Sequence, residues 1–384
     1  MGHLFRNNPL RAIFAGGIIL LLFCCSSATN IQAQAKPQPD VLLLKDGEKL
    51  IGQVVSTDGA AVTFKSNLAG QVTVKWADVQ EFQSPRKYAV IPKSVRLRKP
   101  VDTSKVAQGA ITLSGPNLQV APGAEQPAQS VPLAGTGHVM DDATFQKAIS
   151  AKPGFFQDWT GAITAGASLV QATQNSRDFN GAISLVRTVP GESWLEPQNR
   201  TLIDFSTSYG EISQPNTPTL KTDIYHADAE RDEYFSPSLY AFAQGAFDHN
   251  FAQGLDLQQT YSGGIGWTVF KTGNAELDLK GGLSYIDQQF AVSSANQTLF
   301  GSVFGENYMR KLPRGMVLVE ALTITPAWNN LNAYSAAFST TLTAPIYKKL
   351  NFSAGVIDTY LNNPPPGFKK NSLQFTSGLT YAIP

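Results

Sequence analysis

From Trp159 to the end of the chain, apolar and polar side chains alternate with a period of two, and no helical period fits. Twelve windows carry this signature: about 160–172, 179–188, 200–212, 220–235, 239–249, 256–270, 275–290, 298–311, 316–328, 333–346, 350–361 and 371–383. The clearest is 275–286. Leu277, Leu279, Gly281, Leu283 and Tyr285 fall on one face there, and Glu276, Asp278, Lys280, Gly282 and Ser284 on the other. The windows 334–344 and 371–383 divide similarly into aromatic or aliphatic and hydroxyl faces. Windows 2, 4 and 8 do not settle which face is which.

Each window reaches the ~9–11 residues a tilted strand needs to cross an outer membrane, whereas strands of soluble sheets average ~5–6. The number of windows is even, as closure by hairpins requires. Connections after windows 4, 6, 8 and 10 are minimal (Ser236-Pro237-Ser238, for example), and those after odd windows are longer and polar. Short turns at one rim and long loops at the other are the habit of outer-membrane barrels. The link 189–199, which contains Trp194, breaks that alternation. The expectation is an all-β chain with a 12-stranded antiparallel transmembrane barrel over 155–384. A soluble sandwich or open sheet is the competing architecture.

Upstream, hairpins fill residues 40–120, a small β-rich module. Asp46-Gly47 and Asp58-Gly59 separate β-branched runs, and such turns need positive φ. The stretch 121–139, rich in Pro, Ala and Gly, reads as a linker, and 140–152 as a short helix capped by Asp141 or Asp142 with Phe145 and Ile149 on one face. Residues 86–105 hold seven cations against Asp102. They are open as a contact for anionic headgroups or cell wall polymer, although no aromatics interleave and a solvated turn region explains them as well.

Composition narrows the setting. Charged residues make up only 15% of the 384 positions and the net charge is +1, so nothing draws the chain to nucleic acid. No run of ~18 apolar residues follows residue 40, which excludes helical spans. Residues 1–35 read as a signal peptide: Arg6 and Arg11, an apolar stretch 12–23, and Ala33-Gln34-Ala35 as the cleavage site before Lys36. Both cysteines, Cys24 and Cys25, fall within it, so the processed chain has no thiol chemistry. The expected location is the outer membrane, with the module in the periplasm. The expected partners are outer-membrane lipid and the barrel-assembly machinery.

Candidate chemistry is sparse. There is no zinc spacing, no nucleophile elbow and no phosphate loop, and no cofactor, metal or catalytic residue is expected. One constellation stands out: His226, Asp228, Glu230 and Asp232 at period two, pointing to one face of a strand. With Glu276, Asp278 and Lys280 these are candidates to line the lumen, either along an aqueous path or as ion pairs that plug it. A hydrolase using His226 and a soluble periplasmic binding protein are the alternatives.

The Leu-x-Asp-Gly module, the Lys152-Pro153-Gly154-Phe155-Phe156 approach and the Gly/aromatic strands ending in Leu379-Thr380-Tyr381 resemble the salt-induced outer-membrane proteins of Gram-negative bacteria, the YdiY-like barrels. That resemblance covers about 155–384, with the module a common companion, and it implies a barrel domain of unknown function. The module's phrasing is similar to half of an Sm-type small barrel, taken as a likeness of fold only. One departure is the ending: Tyr381 is followed by Ala382-Ile383-Pro384, whereas such barrels commonly end in an aromatic residue. The resemblance carries over no established activity; the residues themselves lead to the expectation of an envelope or stress-related structural protein or a narrow solute channel, and not an enzyme.

Overall fold

The computed structural model describes residues 38–383 except 58–59, 124–126, 172–174 and 215–217. The expected signal peptide and the Asp58-Gly59 turn lie outside the described residues.

The first sheet has nine strands: β1 (Asp40–Leu44), β2 (Lys49–Thr57), β3 (Ala61–Ser66), β4 (Gly70–Lys75), β5 (Val79–Pro92), β6 (Ala107–Ser114), β7 (Asn117–Ala121), β8 (Gln129–Pro132) and β9 (Thr136–Asp141). They run in the order β4-β3-β2-β1-β5-β6-β7-β8, and β9 pairs with β5 and with the end of β2. Gly47 turns the first hairpin at φ 90°, which a side chain would resist. Alternation buries Leu42, Val62, Phe64, Phe82, Ile111 and Leu118 in one core. The stretch 121–139 is therefore not a free linker. Its Pro and Gly mark turns between short strands, and Val139 and Met140 are core residues. Asp141 caps the helix α1 (Asp142–Ser150), accepting from the Thr144 amide at 3.0 Å.

Asp40 anchors the first sheet and is fully buried. Its carboxylate accepts from the Val54 amide at 2.8 Å, the Tyr88 hydroxyl at 2.7 Å, Ser84 Oγ and the Arg86 guanidinium. Burial alone would raise its pKa; the Arg86, Ser84, Val54 and Tyr88 hydrogen bonds outweigh that and hold it below the usual carboxylate range.

Twelve further strands close into a barrel: β10 (Trp159–Gln171), β11 (Asn175–Val189), β12 (Asn199–Ser213), β13 (Leu220–Tyr234), β14 (Leu239–Asn250), β15 (Leu255–Lys271), β16 (Ala275–Phe290), β17 (Gln297–Lys311), β18 (Val317–Thr325), β19 (Ser335–Tyr347), β20 (Leu350–Leu361) and β21 (Asn371–Ile383). Closure is antiparallel between β10 and β21 through Gly161↔Ile383 to Ala165↔Leu379. The even count is as expected from sequence, and from β15 onward short and long links alternate as expected; the links after β13 and β14 are equal in length, and the link after β10 is short where a long loop was expected.

The exceptional link 189–199 has a physical reason. It docks the first sheet onto the short-turn rim. Leu97 bridges Leu195, the Glu196 amide donates to Leu97 O at 2.8 Å, and Leu195 is buried among Ile91, Leu97, Val106 and Phe145. Trp194 stacks on Phe145 at 5.6 Å. Arg98 donates to the Tyr234 and Phe235 carbonyls, both at 2.6 Å. Several of the 86–105 cations thus serve internal contacts: Arg86 to Asp40, Arg98 to the rim, Lys99 to Ala151 O and Lys93 to Ala134 O.

Candidate functional site: the barrel interior

Facing follows from the strand register. Cross-strand partners share a face, so one inward residue fixes its neighbours around the barrel. The Arg200–Asp278 pair, at 2.7 Å, joins β12 to β16. Three strands lie between them in the wall, so the contact crosses the interior. Asp278 is 4% exposed while its neighbour Leu279 is 41% exposed. Ile183, Phe205, Phe247, Ile265, Leu283, Phe304, Leu342 and Phe375 likewise stand outward. The barrel is apolar outside and polar within.

All seven sequence candidates face inward. Glu230, Asp232, Asp278 and Lys280 are buried, Glu276 is nearly so, and His226 is partly open. They form two connected groups. At the short-turn rim, Arg200 Nε donates to Asp232 at 2.7 Å and its Nη1 donates to Asp278, with Glu276 at 3.8 Å. Arg200 also lies over the rings of Tyr234 and Tyr240, 5.9 and 5.2 Å from their centroids. Gly266 makes room for Tyr240: a Cβ there would sit 2.2 Å from the ring. Tyr234, Tyr240, Phe242 and Val303 pack together, so this end is partly plugged.

The second group climbs the wall. Lys280 pairs with Glu230 and reaches Gln244, whose amide donates to Asp228 at 2.9 Å. His226 lies 3.1 Å from Asp228 and 2.6 Å from Asp248. Gln258, Gln288 and Gln297 continue the chain to Asn330 in the β18–β19 loop. Both imidazole nitrogens of His226 meet carboxylates, so neither is left to take a proton from a hydroxyl nucleophile. Among the described residues no His/Cys/Asp/Glu group has metal-site geometry.

The long-loop mouth is bridged. The turn after β14 reaches β20, on the opposite side of the twelve-strand ring. Gln253 Nε2 donates to Thr359 O at 3.0 Å and Lys370 O at 2.9 Å, and Asn250 Nδ2 donates to Thr359 Oγ1 at 3.2 Å. Leu255, Phe290 and Leu361 form a buried cluster beneath. Gly254, at φ 65°, lets the Phe368 ring pack against the turn.

Sequence reasoning missed Arg200, Asp204, Asp248 and Gln253. The first three sit at inward positions set by the register with β13, so projecting the facing of 220–235 onto its neighbours would have found them. Nothing in the sequence marks Gln253.

Fold and interior together define an antiparallel β-barrel of the membrane type carrying a docked β-module. The chain belongs to the family described as a protein of unknown function, DUF481, whose model matches residues 163–383. No curated protein sequence matches it significantly. Among solved structures it is similar to the beta domain of the Bordetella autotransporter Brka, with 10% identity over 59% of this chain and 98% of that one and a TM-score of 0.30. It is also similar to the translocator domain of autotransporter NalP from Neisseria meningitidis (11% identity, 59% and 87%, TM-score 0.33). An outer membrane channel from Pseudomonas putida F1 matches with 12% identity over 61% of this chain and 100% of that one, TM-score 0.34. These likenesses are of fold alone.

Proposed function

We propose that this chain is an exported outer-membrane barrel, with its β-module in the periplasm, whose interior is a narrow solute path with side-chain closures at both ends. One observation carries the reading: within a closed barrel, adjacent residues such as Asp278 and Leu279 divide between a buried ion-pair network and an exposed apolar surface. An apolar exterior suits lipid, and a soluble barrel has no use for it. Eight strands suffice to be filled by side chains, and twelve with small residues on one wall leave space for small solutes. Burial of Arg200 and Lys280 by carboxylates supports a structured lumen rather than a wide pore.

Envelope contact rather than catalysis fits the remainder. The exposed cations Lys87 and Arg96 are available to headgroups or wall polymer. The strand order β4-β3-β2-β1-β5 supports an Sm-like fold for the module, extended by β6–β9. Cell fractionation with a gel-mobility comparison before and after boiling tests the location. Recovery in the outer membrane as a heat-modifiable band is expected. Recovery as a soluble periplasmic protein would refute it.

A further inference from the structure

The charges of the interior are segregated by wall. Between the rims, inward positions of β12–β16 carry Asp204, Asp228, Glu230, Asp232, Asp248 and Asp278 against Arg200 and Lys280. Facing them, β18–β21 and β10 present small uncharged residues such as Ser339, Thr341, Thr376 and Thr164. No Asp, Glu, Lys or Arg points inward from those five strands among the described residues. Even with a proton on His226, carboxylates exceed cations.

Two independent observations show that this excess is not consumed by the protein. Asp232 and Asp278 each give one oxygen to Arg200, yet their Oδ1 atoms are buried with no hydrogen-bond donor among the described residues. Their side chains are 0% and 5% exposed. A buried acceptor without a donor is costly, and a cation or its water shell is the chemistry that would satisfy it. Second, Asp204 and Asp228 are directly opposed partners on adjacent strands. Like charges so placed repel, and Asp204 has no arginine or lysine within ion-pair reach among the described residues.

Resting on the reading of the interior as a solute path, we propose that its solutes are small cations, held along the acidic β12–β16 wall and passing against the hydroxyl-lined wall opposite. Acidic walls of low dielectric concentrate counter-ions and repel anions. Asp204 is the residue to substitute first, because removing its charge breaks no ion pair among the described residues.

The test is the zero-current voltage of the refolded full chain in planar bilayers under a tenfold KCl gradient. The voltage should lie toward the potassium limit, about 59 mV for an ideal cation path, and should move toward zero in Asp204→Asn and in Asp228→Asn. A voltage on the chloride side, or one unchanged by both substitutions, overturns the cation assignment and leaves the path standing. If no bilayer conducts, the path reading fails, and the acidic wall is judged by Tb3+ luminescence titration of the folded protein. Wild type should then bind Tb3+ about tenfold more tightly than Asp204→Asn. Equal affinities would overturn the assignment.

Discussion

Placing an arginine on each face of the barrel wall separates a membrane barrel from a soluble one. β16 has sixteen residues; at ~3.4 Å per residue and a tilt of ~40° it stands about 40 Å tall, so its midpoint falls near Leu283. Leu283 is 62% exposed on the outer surface. In lipid, Leu283→Arg should cost ~2–4 kcal/mol, a factor of about thirty to a thousand in the folding equilibrium. The control must face the lumen without disturbing an ion pair. Asp278 is unsuitable, since Asp278→Arg would set two guanidiniums together where Arg200 now finds a carboxylate. Thr341 suits the purpose. It lies mid-way along β19 on the hydroxyl wall, between Val319 and Gly355, and Val319 is 46% exposed into the lumen. Thr341→Arg should cost under about 1 kcal/mol, because lumen water can reach the guanidinium. Reversible urea unfolding in liposomes, followed by tryptophan fluorescence, measures both. Equal costs, or a larger cost at Thr341, would mean that the outer face does not meet lipid.

Two further perturbations probe the module. Asp40→Ala strands the Arg86 guanidinium and should cost about 3–5 kcal/mol in urea unfolding of the sheet. Because the folded pKa of Asp40 is depressed, the stabilisation is present above the unfolded value of about 3.9 and is lost as pH falls below it through the folded pKa. Wild type and Asp40→Ala should therefore converge in stability below that pH, and a constant gap down to strong acid would contradict the assignment. Trp194→Ala removes the stack on Phe145, worth about 1 kcal/mol. Limited proteolysis should then cut faster within 151–158 while the barrel stays heat-modifiable; an unchanged digestion pattern would mean that the module is held elsewhere.

Much of the barrel was legible because alternation in a strand with an apolar outer face and a polar inner face writes both environments into neighbouring residues. Residues 275–286 are the clearest case: Asp278 is buried and its neighbour Leu279 exposed. Window 8 was not legible because β17 is apolar on both faces: Leu299 and Val303 pack inward while Phe300 and Phe304 stand outward. The stretch 121–139 misled because Pro and Gly signal turns and linkers alike, and only the partner strand distinguishes them. The length of 189–199 made no sense within the barrel, since its partner is Leu97 on another sheet. Arg200 needed the register: Asp232 is its opposed partner on the adjacent strand, and Asp278 lies across the lumen, where a period-two pattern within one strand says nothing.

Single-channel recording of the refolded full chain tests the solute path most directly. Gln253 is the side chain that ties the β14–β15 turn across the long-loop mouth through two hydrogen bonds, each worth about 0.5–1.5 kcal/mol net. Wild type should show small, discrete current steps, and Gln253→Ala larger or longer openings. Silent bilayers for both proteins, containing barrels that are folded by gel mobility, would contradict it.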